Sequence, residues 1–210
     1  MSIAETLFAS LYDRMTAGAE EAGLRANRQA LLAKASGRVL EIGGGTGANL
    51  PFYGSGIASL TITEPSEPMA RRLERRLGQH ELPAPVMAEV VRAPAEELPF
   101  DSGSFDTAVS TLVLCTVDDQ ERALAELGRV LRPGGSLLFI EHVRSDSPRL
   151  ARWQRRLNPL QRVIACGCNC NRPTLDRAQA AGFEITELAY DDLQKVPPWV
   201  RPLRVGVAHS

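Results

Sequence analysis

Residues 39–47 read Val-Leu-Glu-Ile-Gly-Gly-Gly-Thr-Gly: an apolar run, one carboxylate, and glycines at 43, 45 and 47 with no bulky side chain between them. Without a Cβ the backbone can turn sharply, and a ligand can lie directly against it. Glu41, at the end of the apolar run, puts a carboxylate beside that ligand. It repels phosphate and attracts an ammonium group. The ligand that fits is a nucleoside with positive charge, as S-adenosylmethionine is with its amino group and sulfonium. Gly43, Gly45 and Ala48 also satisfy the dinucleotide pattern G-x-G-x-x-G/A. Glu41 and the additional Gly47 weigh against that reading.

Other residues with chemistry stand at the ends of further apolar runs. Leu60–Thr63 ends at Glu64-Pro65, and Glu64 lies at the distance downstream where a carboxylate accepts hydrogen bonds from both ribose hydroxyls. Ala93–Phe100 offers backbone at Pro94–Glu96 on which an adenine could rest. Thr111-Leu112-Val113-Leu114-Cys115 offers carbonyls and apolar side chains as a floor under the ligand. Glu141-His142 ends the last of these runs and can reach the transfer zone. Of three histidines, His80 and His209 fall away from this cleft, so His142 is the candidate base. Its alternative is a backbone-bonded residue at a strand end. Cys115, within an apolar run, reads as packing. Cys166-Gly167-Cys168-Asn169-Cys170 clusters three of the four cysteines. Zinc sites pair C-x₂₋₄-C with two further ligands, and no second pair lies nearby, so no metal is expected.

The elements that must position these residues follow from periodicity. Ile3, Leu7, Phe8, Leu11 and Met15, then Leu24, Leu31 and Leu32, recur at helical spacing, with Gly18 and Gly23 dividing two helices. Strands are expected over Arg38–Ile42, Ser59–Thr63, Pro85–Val91, Asp106–Ser110, Ser136–His142, Phe183–Tyr190 and Leu203–Ala208. Helices are expected over Glu67–Leu77, Asp119–Val130 with Asp118 or Asp119 as N-cap, Ser145–Leu160 as far as Asn158-Pro159, and Thr174–Ala181. Short apolar runs alternating with helices predict an α/β fold, a parallel sheet covered on both faces.

The bulk numbers suit that fold. The 210 residues read as one domain, with residues 1–35 as a helical cap and 144–172 as an insertion on the substrate side. Apolar residues make up 44% and charged residues 23%, which excludes a disordered chain. A net charge of −1 gives no electrostatic reason to expect nucleic acid or membrane. No apolar stretch approaches the roughly 20 residues of a membrane span. Glu5 and the lack of a basic flank argue against a secretory signal, so a cytoplasmic protein is expected.

Glu41–Gly47, Leu98–Asp106 and Leu131-Arg132-Pro133-Gly134-Gly135, in this order and spacing, resemble the class I S-adenosylmethionine-dependent methyltransferases across nearly the whole chain. The resemblance implies a Rossmann-like, seven-stranded, mostly parallel sheet with the last strand antiparallel, and S-adenosylmethionine as cofactor. Gly45-Thr46-Gly47-Ala48-Asn49, Thr111–Cys115, Glu141-His142-Val143, Trp153-Gln154 and Gly167-Cys168-Asn169 are similar to the methyltransferase-like 7 group, which methylates alkyl thiols. Tyr12 matches a tyrosine that group carries ahead of the glycine loop. The cofactor-binding set so implied is Tyr12, Glu41, Gly43, Gly45, Gly47, Asn49, Glu64, Pro65, Ala95, Glu96, Thr111 and Leu112. Gly44 stands where cysteine or serine is usual, a change expected to be harmless. Pro94 replaces the acid found near adenine, leaving that contact to the Ala95 backbone or to Glu96. The membrane anchor of the animal members is missing, so no membrane attachment is implied.

The expected reaction is methyl transfer to a small-molecule thiol. The alternatives are oxygen, nitrogen or carbon acceptors, or a protein of this fold that binds the nucleoside and transfers nothing. A thiol must lose its proton, and a base near pKa 7 at His142 would help. Leu150, Trp153 and Trp199 would wall the acceptor, and the arginines of 149–162 would form a solvated face.

Overall fold

The computed structural model describes residues 3–80, 82–83, 86–165 and 167–210, with side chains from Thr6 on. Pro85, expected to open the third strand, and Cys166 of the cysteine cluster lie outside them. Seven strands form one sheet in the order β3-β2-β1-β4-β5-β7-β6. They are β1 (Gly37–Ile42), β2 (Ile57–Thr63), β3 (Met87–Val91), β4 (Phe105–Thr111), β5 (Leu131–His142), β6 (Glu184–Asp192) and β7 (Pro202–His209). β1, β2, β3, β4 and β5 pair in parallel, and β7 runs antiparallel to both β5 and β6.

The central strands are continuous apolar runs because both faces are covered. On one face α2 (Arg25–Leu32) and α3 (Glu67–Leu77) bring Leu31, Leu32 and Leu73 against Val39, Leu60, Ile62 and Val109. On the other, α4 (Gln120–Val130) sets Ala123, Leu124, Leu127 and Val130 against Leu40, Ile42, Ala108 and Leu137. Asp119 caps α4, accepting from the backbone of Glu121 and Arg122. The exposed edge strand β6 carries Glu184, Glu187, Asp191 and Asp192, charges that discourage pairing with another chain.

Four details differ from the sequence expectation. α1 (Ile3–Ala19) runs through Gly18, and the helix breaks only at Gly23, whose φ of 140° lies in a π-helical turn, Glu20–Leu24. Leu7, Leu11 and Met15 of α1 are exposed rather than packed. β5 begins at Leu131, which pairs with Phe105 before the register shifts to Thr107–Ser136, so Arg132–Gly134 bulges into solvent. Finally, α5 (Pro148–Ile164) continues past Pro159, and α6 (Thr174–Ala180) follows. Pro159 and Arg155 are both exposed, so water can serve the carbonyl that loses its helical donor. The strand order reverses between β1 and β4, and their carboxyl ends open the crevice where such sheets bind ligands.

Candidate functional site

The glycine loop leaves β1 with Gly43 and Gly45 both at φ 57°, a conformation that suits glycine. A Cβ on Gly43 would lie 2.7 Å from Val113 Cγ2, whereas one on Gly45 would meet nothing nearer than 4.0 Å. Gly45 therefore presents bare backbone to open space. Gly44, where the family usually carries cysteine or serine, fits a space closed to a side chain. Its Cβ would overlap Ile62 Cγ2 and come within 3.1 Å of Leu73 Cδ2, so in this core a cysteine or serine there needs smaller neighbours.

Glu64, buried at the end of β2, accepts from the backbone N–H of Gly45 at 2.8 Å and of Ser66 at 2.9 Å. Burial raises its carboxyl pKa against these two donors. One donor per oxygen leaves each with a free acceptor position, the arrangement a ribose diol needs. Beside it Pro65 is exposed, with its carbonyl 3.4 Å from Arg92 Nη2.

Beneath the loop lies a polar cluster that sequence reading only partly foresaw. Asn49 Nδ2 donates to Glu41 at 2.9 Å and to Thr111 Oγ1 at 2.9 Å, and the Tyr53 hydroxyl donates to Glu41 at 2.7 Å. Arg28 Nη1 donates to Asn49 Oδ1 at 2.7 Å and to Thr111 Oγ1 at 3.0 Å, while its Nε pairs with Glu20 at 3.0 Å. Burial pushes the Glu41 carboxyl up to about 7, although Tyr53, Asn49 and the Arg28 charge all favour its ionised form. Arg28 and Tyr53 were missed. Arg28 did leave a signal, because Leu24, Arg28, Leu31 and Leu32 form an i, i+4, i+7, i+8 stripe with one charge inside it.

At the end of β4, Leu112 has φ 61°, sparsely allowed for a residue with a Cβ. Glu141 of β5 holds the turn, accepting from Ser110 Oγ at 2.7 Å and from the backbone N–H of Val113, Leu114 and Cys115, each at 3.0 Å. The adjacent His142 is buried with its ring toward the carbonyls of Val200 and Pro202, and its Nδ1 has no hydrogen-bond partner among the described residues. Desolvation pushes its pKa down to about 4. The base near pKa 7 expected at this position is not what the fold provides: His142 is neutral and weakly basic at neutral pH.

The remaining predicted residues sit around this centre. Tyr12 stacks edge-on to Phe8 at 5.5 Å, and burial raises its pKa near Arg28 and Cys115. The neighbouring Asp13 accepts from Thr46 Oγ1 at 2.6 Å and from Arg76 at 2.9 Å, tying α1 to the glycine loop. Ala95 is buried, and Glu96 accepts through Oε1 from the backbone N–H of Asp118 and Asp119, at 2.8 and 3.2 Å. The cysteine-rich segment docks on the β4 turn. The Asn169 N–H reaches the Cys115 carbonyl at 2.7 Å, Arg172 reaches that of Leu114 at 2.8 Å, and Cys168 Sγ lies 3.8 Å from Cys115 Sγ. Among the described residues no three His, Cys, Asp or Glu side chains converge as metal ligands. Trp153 is half-exposed, and Trp199 donates to Gln161 at 3.3 Å. A separate cleft of about 310 Å³, lined by Leu150, Tyr190, Asp191 and Arg204, touches no residue of the glycine loop.

The bare backbone at Gly45, the free acceptor positions of Glu64 and the titratable Glu41 together fit a nucleoside carrying an ammonium group. Residues 40–139 match the family described as "Methyltransferase domain". The human thiol S-methyltransferase TMT1A is 36% identical over 173 residues, covering 81% of this chain and 69% of that protein. Human TMT1B is 35% identical over 179 residues, 83% of this chain and 70% of its own length. Among solved structures, a Thermotoga maritima S-adenosylmethionine-dependent methyltransferase, described as a possible histamine N-methyltransferase, matches with a TM-score of 0.69 and 26% identity, covering 97% of this chain and 96% of its own. Among the described residues no helix is long and apolar enough to cross a membrane.

Proposed function

This chain belongs to the class I S-adenosylmethionine-dependent methyltransferases, and from that premise we propose that it methylates a small-molecule thiol. The observation that carries the reading is the chemistry around the β4 turn. Leu112–Cys115 presents apolar side chains and backbone, and the two titratable residues that end β5 beside it are poorly suited to take a proton from the acceptor. His142 is pushed down to about 4, and Glu141 is taken up by four donors. Such a wall suits an acceptor that ionises by itself. A thiol as acidic as free cysteine, with a pKa near 8.5, is roughly 3% thiolate at pH 7, and the thiolate is the nucleophile. The thiol S-methyltransferase relatives at 35–36% identity support the same choice.

The methyl donor, when bound, supplies a sulfonium methyl group open to attack along the line of its leaving sulfur. The residues of the chain orient and hold. Gly43–Gly47 gives a close backbone approach, Glu64 accepts from the ribose hydroxyls, and Glu41 balances the ammonium. Glu141 fixes the turn over which the thiolate approaches, so the contribution is alignment rather than proton transfer.

The test is S-adenosylhomocysteine release by the purified protein against alkyl thiols, phenols, amines and quinols. Turnover should be confined to thiols, with kcat/KM rising about tenfold per pH unit up to the pKa of the thiol used. The shape of that profile should persist in His142→Gln. Turnover with amines or quinols alone would overturn the acceptor. A profile that loses a limb near pH 7 in His142→Gln would return the base to that side chain.

A further inference from the structure

Helix α5 is amphipathic the wrong way round. Its inward face is amide: the buried Gln154 donates to the carbonyls of Val143, Cys170 and Trp199 at 3.0, 2.7 and 3.1 Å and accepts from the Ser145 N–H at 2.8 Å. Asn158 and Gln161, four and seven residues on, bond to Asn169 and Trp199. The outward face is apolar. Trp153, Leu160, Val163 and Ile164 are 50%, 55%, 78% and 57% exposed, and Trp153, Leu160 and Ile164 share the i, i+7, i+11 stripe. Arg149, Arg152, Arg155, Arg156 and Arg162 are exposed on the same helix, with Arg149, Arg152 and Arg156 on the side nearest the apolar stripe; none makes an ion pair among the described residues, and α5 contains no acid.

We propose that this outward face of α5 docks the protein on an anionic lipid surface. Four large apolar side chains on one exposed helical face mark an interaction site rather than ordinary surface scatter. Guanidinium groups pair with phosphate, Trp favours the headgroup level, and aliphatic side chains enter the acyl boundary, so all three residue types on this face are used at once. Charge complementarity selects the occupant. A second copy of the chain would bring two sets of arginines together, and a nucleic acid would leave Leu160, Val163 and Ile164 in water. The overall charge of −1 conceals this patch because the acids lie elsewhere. The inference is independent of the thiol acceptor. It has a consequence for access, however: Asn158 binds Asn169, whose backbone binds Cys115, so the lipid-facing helix is one layer from the β4 turn.

The test is co-sedimentation of the full chain with phosphatidylcholine vesicles, with and without about one-third phosphatidylserine. Partition should be at least about tenfold stronger with phosphatidylserine and should weaken as salt is raised. Arg152→Glu with Arg156→Glu should lower it by about fivefold per arginine. Trp153→Ser with Leu160→Ser should lower it by about tenfold or more, with an unchanged melting temperature because both side chains are exposed. A single Trp153→Ser serves should the double variant fold poorly. Equal partition to both vesicles, no partition to either, or a concentration-dependent dimer abolished by Trp153→Ser would each overturn the proposal.

Discussion

Two acids end two strands of the same sheet and are used differently. Glu41, at the end of β1, is held by two side-chain donors, Asn49 and Tyr53, whereas Glu141, at the end of β5, is held by Ser110 and three backbone N–H groups. Burial raises both carboxyls above the ordinary range. The backbone donors of Glu141 cannot turn elsewhere, so this acid is part of the fold of the Leu112–Cys115 turn. The partners of Glu41 can swing, and its charge can answer to a ligand. A carboxylate whose donors are side chains can be re-partnered; one whose donors are backbone is structural.

The largest effect should come from breaking the structural member of the pair. Glu141→Ala leaves four buried donors without an acceptor and should lower unfolding free energy in urea by about 3–5 kcal/mol. It should also lose turnover under conditions where the protein is still folded, because Leu112 would no longer be held at φ 61°. A loss under about 1 kcal/mol would mean that the turn stands without Glu141, and the contrast with Glu41 would collapse.

Next in size is a pair of pH effects of opposite sign. The Glu41 carboxyl rises from 4.5 to about 7 on folding, so its contribution to stability is fully present below pH 4.5 and is lost as pH climbs through about 7. Glu64 and Glu141 tilt the profile the same way. His142 falls from 6.5 to about 4, so its contribution is present above pH 6.5 and is lost as pH drops through about 4. Each amounts to about 3 kcal/mol across its window. Denaturation at a series of pH values should find Glu41→Gln gaining on the parent as pH rises from 4.5 to 7. His142→Gln should gain as pH falls from 6.5 to 4. Curves parallel to the parent would mean that these groups titrate normally. Methyl donor added at pH 7 should shrink the Glu41→Gln advantage if an ammonium settles against that carboxylate.

What was legible in the sequence follows the same division between local and distant partners. The glycines at 43, 45 and 47 and the acids at 41 and 64 could be read because a tight turn after a strand and an acid at the next strand end are local requirements. The central strands of the sheet could be read because burial on both faces writes continuous apolar runs. The role of Glu141 could not, since it depends on β4–β5 register carrying the 112–115 turn over the end of β5. The reason for glycine at 44 could not be read either, as it comes from Ile62 on the adjacent strand. The arginines of α5 are exposed, as their charge predicts, but which of its apolar side chains share the outward face could not be read. Only the inward hydrogen bonds of Gln154 reveal which side of this helix is turned outward.

Arg28 tests the smallest part of the contrast, whether the cluster at Glu41 depends on the shape of its cation or only on its charge. Its guanidinium reaches Glu20, Asn49 and Thr111 from one planar group, and Asn49 then turns its amide toward Glu41. Arg28→Lys keeps the charge but replaces the fork with a point donor that cannot span all three acceptors. Two weakened hydrogen bonds should cost about 1–2 kcal/mol of stability. Asn49, no longer held from behind, should release Glu41, so methyl-donor affinity measured by calorimetry should fall while unfolding remains cooperative. Equal affinity in the lysine variant would mean that charge alone organises this end of the sheet. In that case the side-chain donors of Glu41 would be as dispensable as those of Glu141 are fixed.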